Sequence, residues 1–585
     1  MLKFGPFELD EPRRALLLQG RELALQPRIF DLLIYLINSR TRVVSKDELL
    51  DAVWGGVTVT DNSLQRAVST LRTALREGGM ESAVRNFPRN GYRFCVELEE
   101  RALSPRSESK PDALPLSAAR QAVAEQRWRE AVAQYERIDA ETAVAGEDLD
   151  RWSLALQCVG KPSDAIPLLV RAVAEHTKDG HPDLAASSAV TLSTIHGERG
   201  EMAVSKGWVA RAQDLVAHVP ECRAIGQILC VESRIAAVEG QPRDALSKAD
   251  AAYRFGRDHG YIEIESLGLM YRGFFQLSLG DTDNGVADQD HAAALALSQN
   301  IDPLTGGTLY CNILWACRTF GDWARANQWT LGYQQFCSKG RMEFAGSCQL
   351  HRAEVLGIQG TLADAVEHIS DALSKLPGDA PWAVGDAYRV LGDIRSAMGE
   401  DIEALSAYER SYALGWDPQP GHAMLLLERG EFEAAYLALE RSLIGQNWWT
   451  LQRQGVLLGH LAVVAARSGQ HERARAIIDD LTGQAHRWPM ASIRALTNEA
   501  SAYLAYETDP KRALDYFHLS RQLWTSVDSH INAARVRLRL AELQLRLSDR
   551  TGALHEIRAA MAAAKDHGAK KLLAQASALL SPDAE

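Results

Sequence analysis

The spacing of apolar residues changes once within the first forty positions of the chain. Residues 3–9, 15–19 and 22–25 are alternating or apolar and are separated by turn residues, which predicts short antiparallel strands. From Pro27 the apolar residues follow helical spacing, which predicts an amphipathic helix opened by that proline. Its inward face consists of Ile29, Leu32, Leu33, Leu36 and Ile37.

Two further helices are predicted before residue 80. Ser45, with Glu48 three residues later, forms a capping box for a helix that ends at Trp54-Gly55-Gly56. Either Thr60 or Asp61 caps the third helix. Its inward stripe is Leu64, Ala67, Val68, Leu71 and Leu75.

The opposite face of the third helix is short, polar and basic. A face of this kind fits a major groove, where Arg can bind guanine, Asn or Gln can bind adenine, and hydroxyls can contact bases or phosphates. The alternative is an ordinary solvated helix face. The outward residues are Asn62, Ser63, Gln65, Arg66, Ser69, Thr70, Arg72 and Thr73.

A β-hairpin is predicted directly after these helices. Residues 84–87 and 92–96 form its strands, and Pro88 to Gly91 form its turn. Asn90-Gly91 provides the positive φ that a tight turn needs. Arg89 is expected to project from the tip toward a minor groove or a phosphate.

Charge is distributed unevenly along the chain. The net charge is -12, yet up to Phe94 there are 14 basic and 11 acidic residues, so the excess of acid lies in the remainder. From Asp61 to Arg93 there are six arginines and three acids. The positive potential is therefore expected on the third helix and the hairpin, the two elements predicted to approach phosphate.

Three segments occur in order along this region, namely VSKDELLDAVWG, VTDNSLQRAVSTLRTAL and PRNGYRF. Because of these segments, residues 2–94 resemble the OmpR/PhoB-type winged helix of the ToxR/CadC branch. The resemblance implies a recognition helix from Asn62 to Arg76 and a wing from Pro88 to Tyr92. It also implies base-facing positions at Ser63, Arg66 and Thr70 and phosphate-facing positions at Asn62 and Arg72. We assign Trp54 and Tyr92 to the core rather than to base stacking. Many response regulators carry Arg where this chain has Thr70 and Pro88, so the preferred DNA sequence is expected to differ.

A second pattern, a turn residue followed five positions later by a small one, recurs from residue 160 onward. The intervals between successive turns are 40, 40, 40, 41, 39, 39, 31, 39, 39 and 40 residues. The turns begin at Gly160, Gly200, Gly240, Gly280, Gly321, Gly360, Gly399, Gly430, Gly469, Thr508 and Ser548. Such a period predicts a stack of helical hairpins, with a degenerate first turn near Gln126-Arg127-Trp128.

These units resemble tetratricopeptide repeats with long loops. The predicted fold is an α+β winged helix at residues 1–97, a Ser/Pro-rich linker at 98–116, and an all-α solenoid of about twelve hairpins at 117–585. The concave face of such a solenoid usually receives proteins or peptides, and less often small ligands. Most of the aromatic residues between Tyr310 and Phe336, as well as Trp448 and Trp449, are expected to pack between helices rather than to line that face.

No motif points to catalysis or to a membrane. The sequence lacks a phosphate-binding GxxxxGK[ST] loop, HExxH and GxSxG, and its eight cysteines show no metal-binding spacing, so no cofactor or metal is expected. The sequence leads us to expect no receiver domain before the winged helix and no membrane segment after it. Control is therefore expected to come from the array.

The main hypothesis is a cytoplasmic, nucleoid-associated transcription regulator that binds double-stranded promoter DNA. A winged helix joined to a soluble repeat array resembles the HilA type of regulator, which implies activation rather than repression. The same resemblance implies RNA polymerase as a partner and dimerisation on repeated half-sites. The alternative is an interaction scaffold in which the winged helix recruits a protein instead of DNA.

Overall fold

The computed structural model describes two compact units, Met1–Lys110 and Pro111–Glu585. It describes residues 2–10, 15–18, 21–23, 25, 27–40, 42–54, 61–87, 91–96, 113–298, 301–340, 346–376, 381–444 and 448–580. Among these residues, no helix is long and apolar enough to cross a membrane. Predicted residues Arg89 and Asn90 lie outside the described residues, as do Pro88 and the Gly55-Gly56 pair.

Four short strands open the N-terminal unit and form an antiparallel sheet in the order β1-β2-β3-β4. The strands are β1 Leu2–Phe4, β2 Phe7–Asp10, β3 Ala15–Leu18 and β4 Arg21–Leu23. The first predicted segment is therefore two strands, because Gly5 has a φ of +54° and turns the chain back on itself. Register pairs Phe7 with Leu18 and Leu16 with Leu23, which places the buried residues on one face.

Three helices cover this sheet at α1 Pro27–Asn38, α2 Lys46–Trp54 and α3 Asp61–Arg76. The predicted inward stripes of α1 and α3 are buried and share one core with Phe4, Phe7 and Phe94. The Ser45 hydroxyl accepts the Glu48 amide at 3.2 Å, which confirms the cap of α2. The Glu48 carboxylate does not close the capping box, since it binds Arg42 and Tyr35 instead.

A two-stranded hairpin, β5 Val84–Phe87 and β6 Gly91–Phe94, completes the unit. The hairpin is attached to the start of α2 by two backbone hydrogen bonds between Val44 and Tyr92, at 2.8 and 2.9 Å. Gly91 is required at this contact, because a Cβ there would lie 1.8 Å from the Val44 carbonyl oxygen. Tyr92 is buried, as expected, and the side chain of Trp54 lies outside the described part of the structure.

The second unit is entirely helical in its described residues. It contains twelve consecutive antiparallel hairpins, α4/α5 through α26/α27, and a final helix, α28. The helices are α4 Ala113–Ala124, α5 Trp128–Glu141, α6 Gly146–Cys158, α7 Pro162–Lys178, α8 Pro182–Glu198, α9 Met202–Val216, α10 Arg223–Val238, α11 Pro242–His259, α12 Ile262–Leu279, α13 Thr282–Ser298, α14 Pro303–Phe320, α15 Trp323–Gly340, α16 Gly346–Gln359, α17 Leu362–Lys375, α18 Pro381–Met398, α19 Asp401–Ala413, α20 Gly421–Glu428, α21 Phe432–Ser442, α22 Trp448–Arg467, α23 His471–Gly483, α24 Ala491–Ala505, α25 Pro510–Ser526, α26 His530–Arg546, α27 Arg550–Asp566 and α28 Lys570–Ala578. Helix α4 begins four residues before the predicted start of the solenoid.

The recurring turn glycines end the first helix of each hairpin. All nine predicted glycines, from Gly160 to Gly469, have φ between +72° and +97°. At the first of these turns the Lys161 amide donates to the Leu156 carbonyl at 2.9 Å, the Schellman pattern that satisfies the end of a helix. The weaker turns at Gln126 and Ser548 also have positive φ, at 57° and 63°. The repeat pattern predicted from the sequence is confirmed.

The small residue five positions after each turn lies where the two helices of a hairpin cross. It is buried in every hairpin, and its lack of bulk lets the helices approach closely. These residues are Ala131, Ala165, Ser205, Ala245, Gly285, Ala326, Ala365, Ala404, Ala435, Ala474, Ala513 and Ala553. First helices also contact one another from hairpin to hairpin, whereas second helices contact mainly first helices and form the outer side of the stack.

The stack coils so that hairpins four or five positions apart also touch. The Trp382 indole donates to the Glu198 carbonyl at 3.2 Å, and the Ser492 hydroxyl donates to the Gly321 carbonyl at 2.6 Å. The Lys571 ammonium lies 3.0 Å from Asp401. Residues that are 170 to 184 positions apart in sequence therefore hold neighbouring turns of the coil together.

Charged side chains fill part of the array interior. Arg318 Nη2 donates to Asp386 at 2.9 Å, and Arg389 Nε donates to the other oxygen of that carboxylate at 2.7 Å. Glu354 binds both arginines. Burial by itself raises the pKa of Asp386, but the two guanidinium groups outweigh burial and hold that pKa below its usual value.

Aromatic residues pack beside this network. Trp315, Trp382 and Trp416 contact one another, with ring centroids 5.7 to 6.5 Å apart. Between residues 310 and 336, four of the seven aromatic residues are buried, Tyr310, Trp315, Phe320 and Tyr333, which matches the expected packing between helices. The side chains of Trp448 and Trp449 lie outside the described part.

Candidate nucleic-acid interface

Helix α3 has one buried and one exposed face. Its inward stripe of Leu64, Ala67, Val68, Leu71 and Leu75 is at most 6% exposed. On the opposite face, the side chains of Gln65, Arg66, Ser69, Thr70 and Thr73 are exposed, and that of Arg72 is half-buried. Asn62 and Ser63 belong to the first turn of α3, but their side chains lie outside the described part of the structure.

Two hydroxyls on the exposed face donate to their own helix. Thr70 Oγ1 donates to the Arg66 carbonyl, and Thr73 Oγ1 donates to the Ser69 carbonyl, both at 3.0 Å. With their hydrogens used in this way, these oxygens offer lone pairs to a ligand. They are therefore suited to accept hydrogen bonds from base amino groups, and their methyl groups are suited to contact thymine.

Arg72 has a different setting from the one that the resemblance implied. Its Nε and Nη2 both donate to the Val84 carbonyl oxygen, at 2.9 and 2.8 Å. This fork ties the exposed side of α3 to the first residue of β5. The guanidinium therefore fixes the position of the hairpin relative to the helix, and only its remaining N–H groups are available to a phosphate.

The outward face of the hairpin carries a pair of arginines. Arg85 of β5 is directly opposite Arg93 of β6 and is exposed. The Arg93 guanidinium lies over the Phe87 ring, 4.9 Å from its centroid, and its Nε is 3.5 Å from Cys95 Sγ. Like charges at directly opposite positions repel each other, so this pair is electrostatically suited to bind an anion.

The sequence prediction did not select Arg85 and Arg93 as site residues. The available signal was the two-residue period of the strands, which places both side chains on the face opposite Val84 and Phe94. Both arginines counted toward the predicted positive potential of this region. Arg66 and Arg85 have no ion-pair or hydrogen-bond partner among the described residues, and so their charges face solvent.

Other arginines of the unit serve its internal structure. Arg28 donates to the Val53 carbonyl at the end of α2. Arg42 binds Glu48 at 2.8 Å, and Tyr35 donates to the same carboxylate at 2.8 Å. These hydrogen bonds lower the pKa of Glu48 from 4.5 to about 2. Among the described residues of this unit, the arginines without an ion-pair or hydrogen-bond partner therefore lie on α3 and the hairpin.

The unit with three helices, a four-stranded sheet and a C-terminal hairpin is a winged helix. The family described as "Transcriptional regulatory protein, C terminal" matches residues 20–94. The N-terminal unit is therefore an OmpR/PhoB-type winged-helix domain, a class of DNA-binding domain. No cluster of His, Cys, Asp and Glu that could hold a metal is found in the described residues.

Three curated relatives match short stretches of this chain, of 80 to 93 residues. The chain is 37% identical over 81 residues to "Transcriptional activator CadC" of Escherichia coli, a match covering 14% of this chain and 16% of CadC. It is 36% identical over 93 residues to "Phosphate regulon transcriptional regulatory protein PhoB" of Rhizobium meliloti, covering 16% and 41%. It is 32% identical over 80 residues to "Transcriptional regulator HilA" of Salmonella typhi, covering 14% of each protein. The chain thus covers less than half of the length of each of these three relatives.

One solved structure is aligned along most of the chain. It is a chain of the "Crystal structure of APC/C hetero-tetramer Cut9-Hcn1", and the alignment covers 80% of this chain and 96% of that one. The identity is 14% and the TM-score is 0.33. The repeat architecture of the array is established by its own hairpins.

Proposed function

We propose that this protein is a sequence-specific transcription regulator that binds double-stranded promoter DNA through its winged helix and receives a signal through its helical array. The observation that carries this proposal is the solvent-facing polar and basic face of α3 beside the Arg85–Arg93 pair, in a domain of a transcription-regulator family. Relatives named as regulators, among them an activator, support activation over repression.

In this proposal α3 lies in the major groove. Ser63, Arg66 and Thr70, the base-facing positions that the resemblance implies, read base edges together with Gln65. Ser69 and Thr73 bind bases or phosphates. The hairpin lies over the backbone next to that groove. There Arg85 and Arg93 bind phosphate, and Arg89 and Asn90 of the turn enter the neighbouring minor groove or contact its edge.

Arg72 acts in this scheme mainly as a positioning residue. Because it holds Val84 to α3, it sets the distance between the side chains that read bases and those that bind phosphate. Asn62 remains a proposed phosphate contact at the N-terminal end of α3, where the helix dipole also favours an anion. Tandem binding to repeated half-sites, contact with RNA polymerase, and a cytoplasmic, nucleoid-associated location complete the proposal.

Fluorescence anisotropy of the full-length protein on its own upstream DNA, compared with random duplex across salt concentrations, tests the proposal. We expect the protein to prefer the upstream DNA. The logarithm of the binding constant should fall linearly with the logarithm of the salt concentration, with a slope that steepens by about 0.9 for each phosphate contact. Arg66→Ala should reduce discrimination between the two DNAs. Arg85→Ala should weaken binding to both alike and make the slope shallower by about 1.

Arg21→Ala is the matched control, since Arg21 is an exposed arginine of the same domain that is paired with Glu77. It should leave both affinity and slope unchanged. A flat salt response and equal binding to random duplex would contradict DNA binding. If a protein partner is retained after nuclease treatment and after loss of Arg66 and Arg85, the interaction-scaffold alternative is favoured instead.

Arg72→Lys and Arg72→Ala test the positioning role. A lysine can donate to the Val84 carbonyl and keeps the charge, but it cannot form the two-nitrogen fork. We expect Arg72→Ala to reduce affinity for both DNAs and to accelerate amide exchange in β5, with Arg72→Lys intermediate in both measurements. Lower affinity with unchanged exchange would instead identify Arg72 as a phosphate contact alone.

A further inference from the structure

The most exposed large apolar side chains of the described residues are concentrated in one part of the array. Ile402 is 80% exposed, Ile444 is 78% exposed and Tyr412 is 75% exposed, whereas the next, Leu331, is 56% exposed. Ile402 and Tyr412 belong to α19 of the eighth hairpin, and Ile444 directly follows the ninth. Single exposed apolar residues are common on protein surfaces, but a concentration of the most exposed ones indicates a contact surface.

The apolar residues of α19 follow the spacing of a helix face. Ile402, Leu405 and Tyr412 are separated by three and seven positions, so they form one stripe, on which Glu409 also lies. On α21, the next second helix of the stack, Phe432 is 40% exposed and Leu437 is 41% exposed. We call the outer side formed by Ile402 and Tyr412 of α19 and Leu437 of α21 the α19–α21 surface.

The break in the repeat explains why this surface is uncovered. Hairpins elsewhere recur every 39 to 41 residues, but the turns at Gly399 and Gly430 are only 31 residues apart. The helix within this interval that opens the ninth hairpin is correspondingly short, with 8 residues in α20. Helix α19 therefore packs closely on α18 and only slightly on α20, which leaves its outer stripe in solvent.

Unpaired carboxylates surround the apolar side chains. Glu403, Glu409 and Glu433 are exposed and have no ion-pair partner among the described residues. The basic residues nearby are Lys570 and Lys571, which pair with Glu400 and Asp401 at the start of α19, and two arginines. The arginines are Arg410, whose guanidinium lies 6.0 Å from the Tyr388 ring centroid, and Arg441 at the end of α21. Among the described residues of this surface that lack an ion-pair partner, acid exceeds base.

We propose that the α19–α21 surface docks an amphipathic helix of a partner protein, one whose apolar stripe packs on Ile402 and Tyr412 and whose flanking Lys or Arg residues pair with Glu403 and Glu409. This inference rests on the proposed function in that it names the kind of partner that the array receives. A second copy of this chain fits less well, because a symmetric contact would place these carboxylates against each other.

The probe is a labelled peptide designed as an amphipathic helix, with Leu on one stripe and Lys along both flanks. A matched peptide carries Glu in place of Lys. We expect the full-length protein to bind the Lys peptide about tenfold more tightly than the Glu peptide. The double variant Ile402→Ser with Tyr412→Ser should weaken binding of the Lys peptide about tenfold.

Two further variants distinguish binding at this surface from general charge attraction between the peptide and the protein. Changing Glu403, Glu409 and Glu433 each to Lys should reverse the preference, so that the Glu peptide binds more tightly. Leu331→Ser, at an exposed leucine of α15 outside the surface, should change nothing. Equal binding of both peptides, or equal weakening by Leu331→Ser, would overturn the proposal.

Sedimentation of the free protein and DNA binding by the same variants complete the experiment. Self-association that disappears with Ile402→Ser would identify a second copy as the occupant and overturn the choice of a basic partner. DNA affinity should be the same in all surface variants. If wild-type protein binds the Lys peptide but no DNA, the proposed function fails while this surface stands.

Discussion

The winged helix and the helical array stabilise their folds in opposite ways. In the winged helix each decisive contact is made once, as where Gly91 lies against the Val44 carbonyl and where Arg72 binds Val84. In the array the same contact is made in hairpin after hairpin, a turn with positive φ followed by a small buried residue. A single substitution should therefore disturb the whole winged helix but only part of the array.

The two regions also use charge differently. The winged helix keeps its ion pair between Arg42 and Glu48 near solvent and presents other arginines outward. The array buries Arg318 and Asp386 in its interior. A substitution in this network is therefore an exception to the expectation that a substitution disturbs only part of the array. The network joins hairpins that are not neighbours in sequence.

The largest effect is expected for Asp386→Asn, which leaves two buried guanidinium groups short of one carboxylate charge. Removing one member of a buried ionic network costs about 3–5 kcal/mol. Urea unfolding followed by tryptophan fluorescence measures this loss of unfolding free energy, since the Trp416 indole donates to Asp386 at 3.2 Å. Asp371→Asn, at the exposed Asp371–Lys375 pair of α17, should change stability by less than about 1 kcal/mol.

The comparison of turn glycines gives the next largest effect. Gly91→Ala forces a Cβ into the Val44 carbonyl at a φ of +120°, and should cost about 3 kcal/mol and abolish DNA binding. Gly200→Ala, at a φ of +78° with open space around the added carbon, should cost about 1–2 kcal/mol and leave DNA binding unchanged. Hydrogen exchange resolved by region distinguishes the two, and equal effects would contradict the contrast drawn between the regions.

Ser45→Ala removes the side-chain cap of α2 and should destabilise the winged helix by about 1 kcal/mol. Helix α2 precedes α3 in the same core, so faster exchange is expected throughout the domain rather than in α2 alone. Exchange in the array should not change. Ser45→Asp, which restores a capping oxygen, should recover most of the loss.

The smallest effect is expected when the pH is lowered. The folded-state pKa of Glu48 is about 2, below its ordinary 4.5, because Arg42 and Tyr35 donate to the carboxylate. Its contribution to stability is therefore complete above pH 4.5 and is lost as the pH falls toward 2. Thermal unfolding of the winged helix across this range should show the loss, and Glu48→Gln should reduce the dependence on pH.

Much of the fold could be predicted because it depends on periodic spacing. The stripes of α1 and α3, the cap at Ser45, and the turns from Gly160 to Gly469 each follow from residues close together in sequence. The exposed face of α3 followed from the same period. Binding by this face, and by Arg89 and Asn90, stays a prediction.

Other features depend on distant residues and could not be predicted. The sequence does not reveal that Arg72 binds the Val84 carbonyl, because that contact depends on where β5 lies against α3. The sequence also does not show that Arg85 and Arg93 form a pair, because strand register brings them opposite each other. The short interval before Gly430 was visible, but its consequence for the exposure of α19 was not.

The sequence by itself determined the local elements of this protein, their order, and the period of the array, since helical spacing, caps and turn glycines act within a few residues. Tertiary structure alone decided which arginines face solvent, which carboxylates are buried, and which hairpins meet across the coil. The physical reason is that burial and ion pairing depend on groups brought together from distant parts of the chain, and no local pattern encodes that proximity.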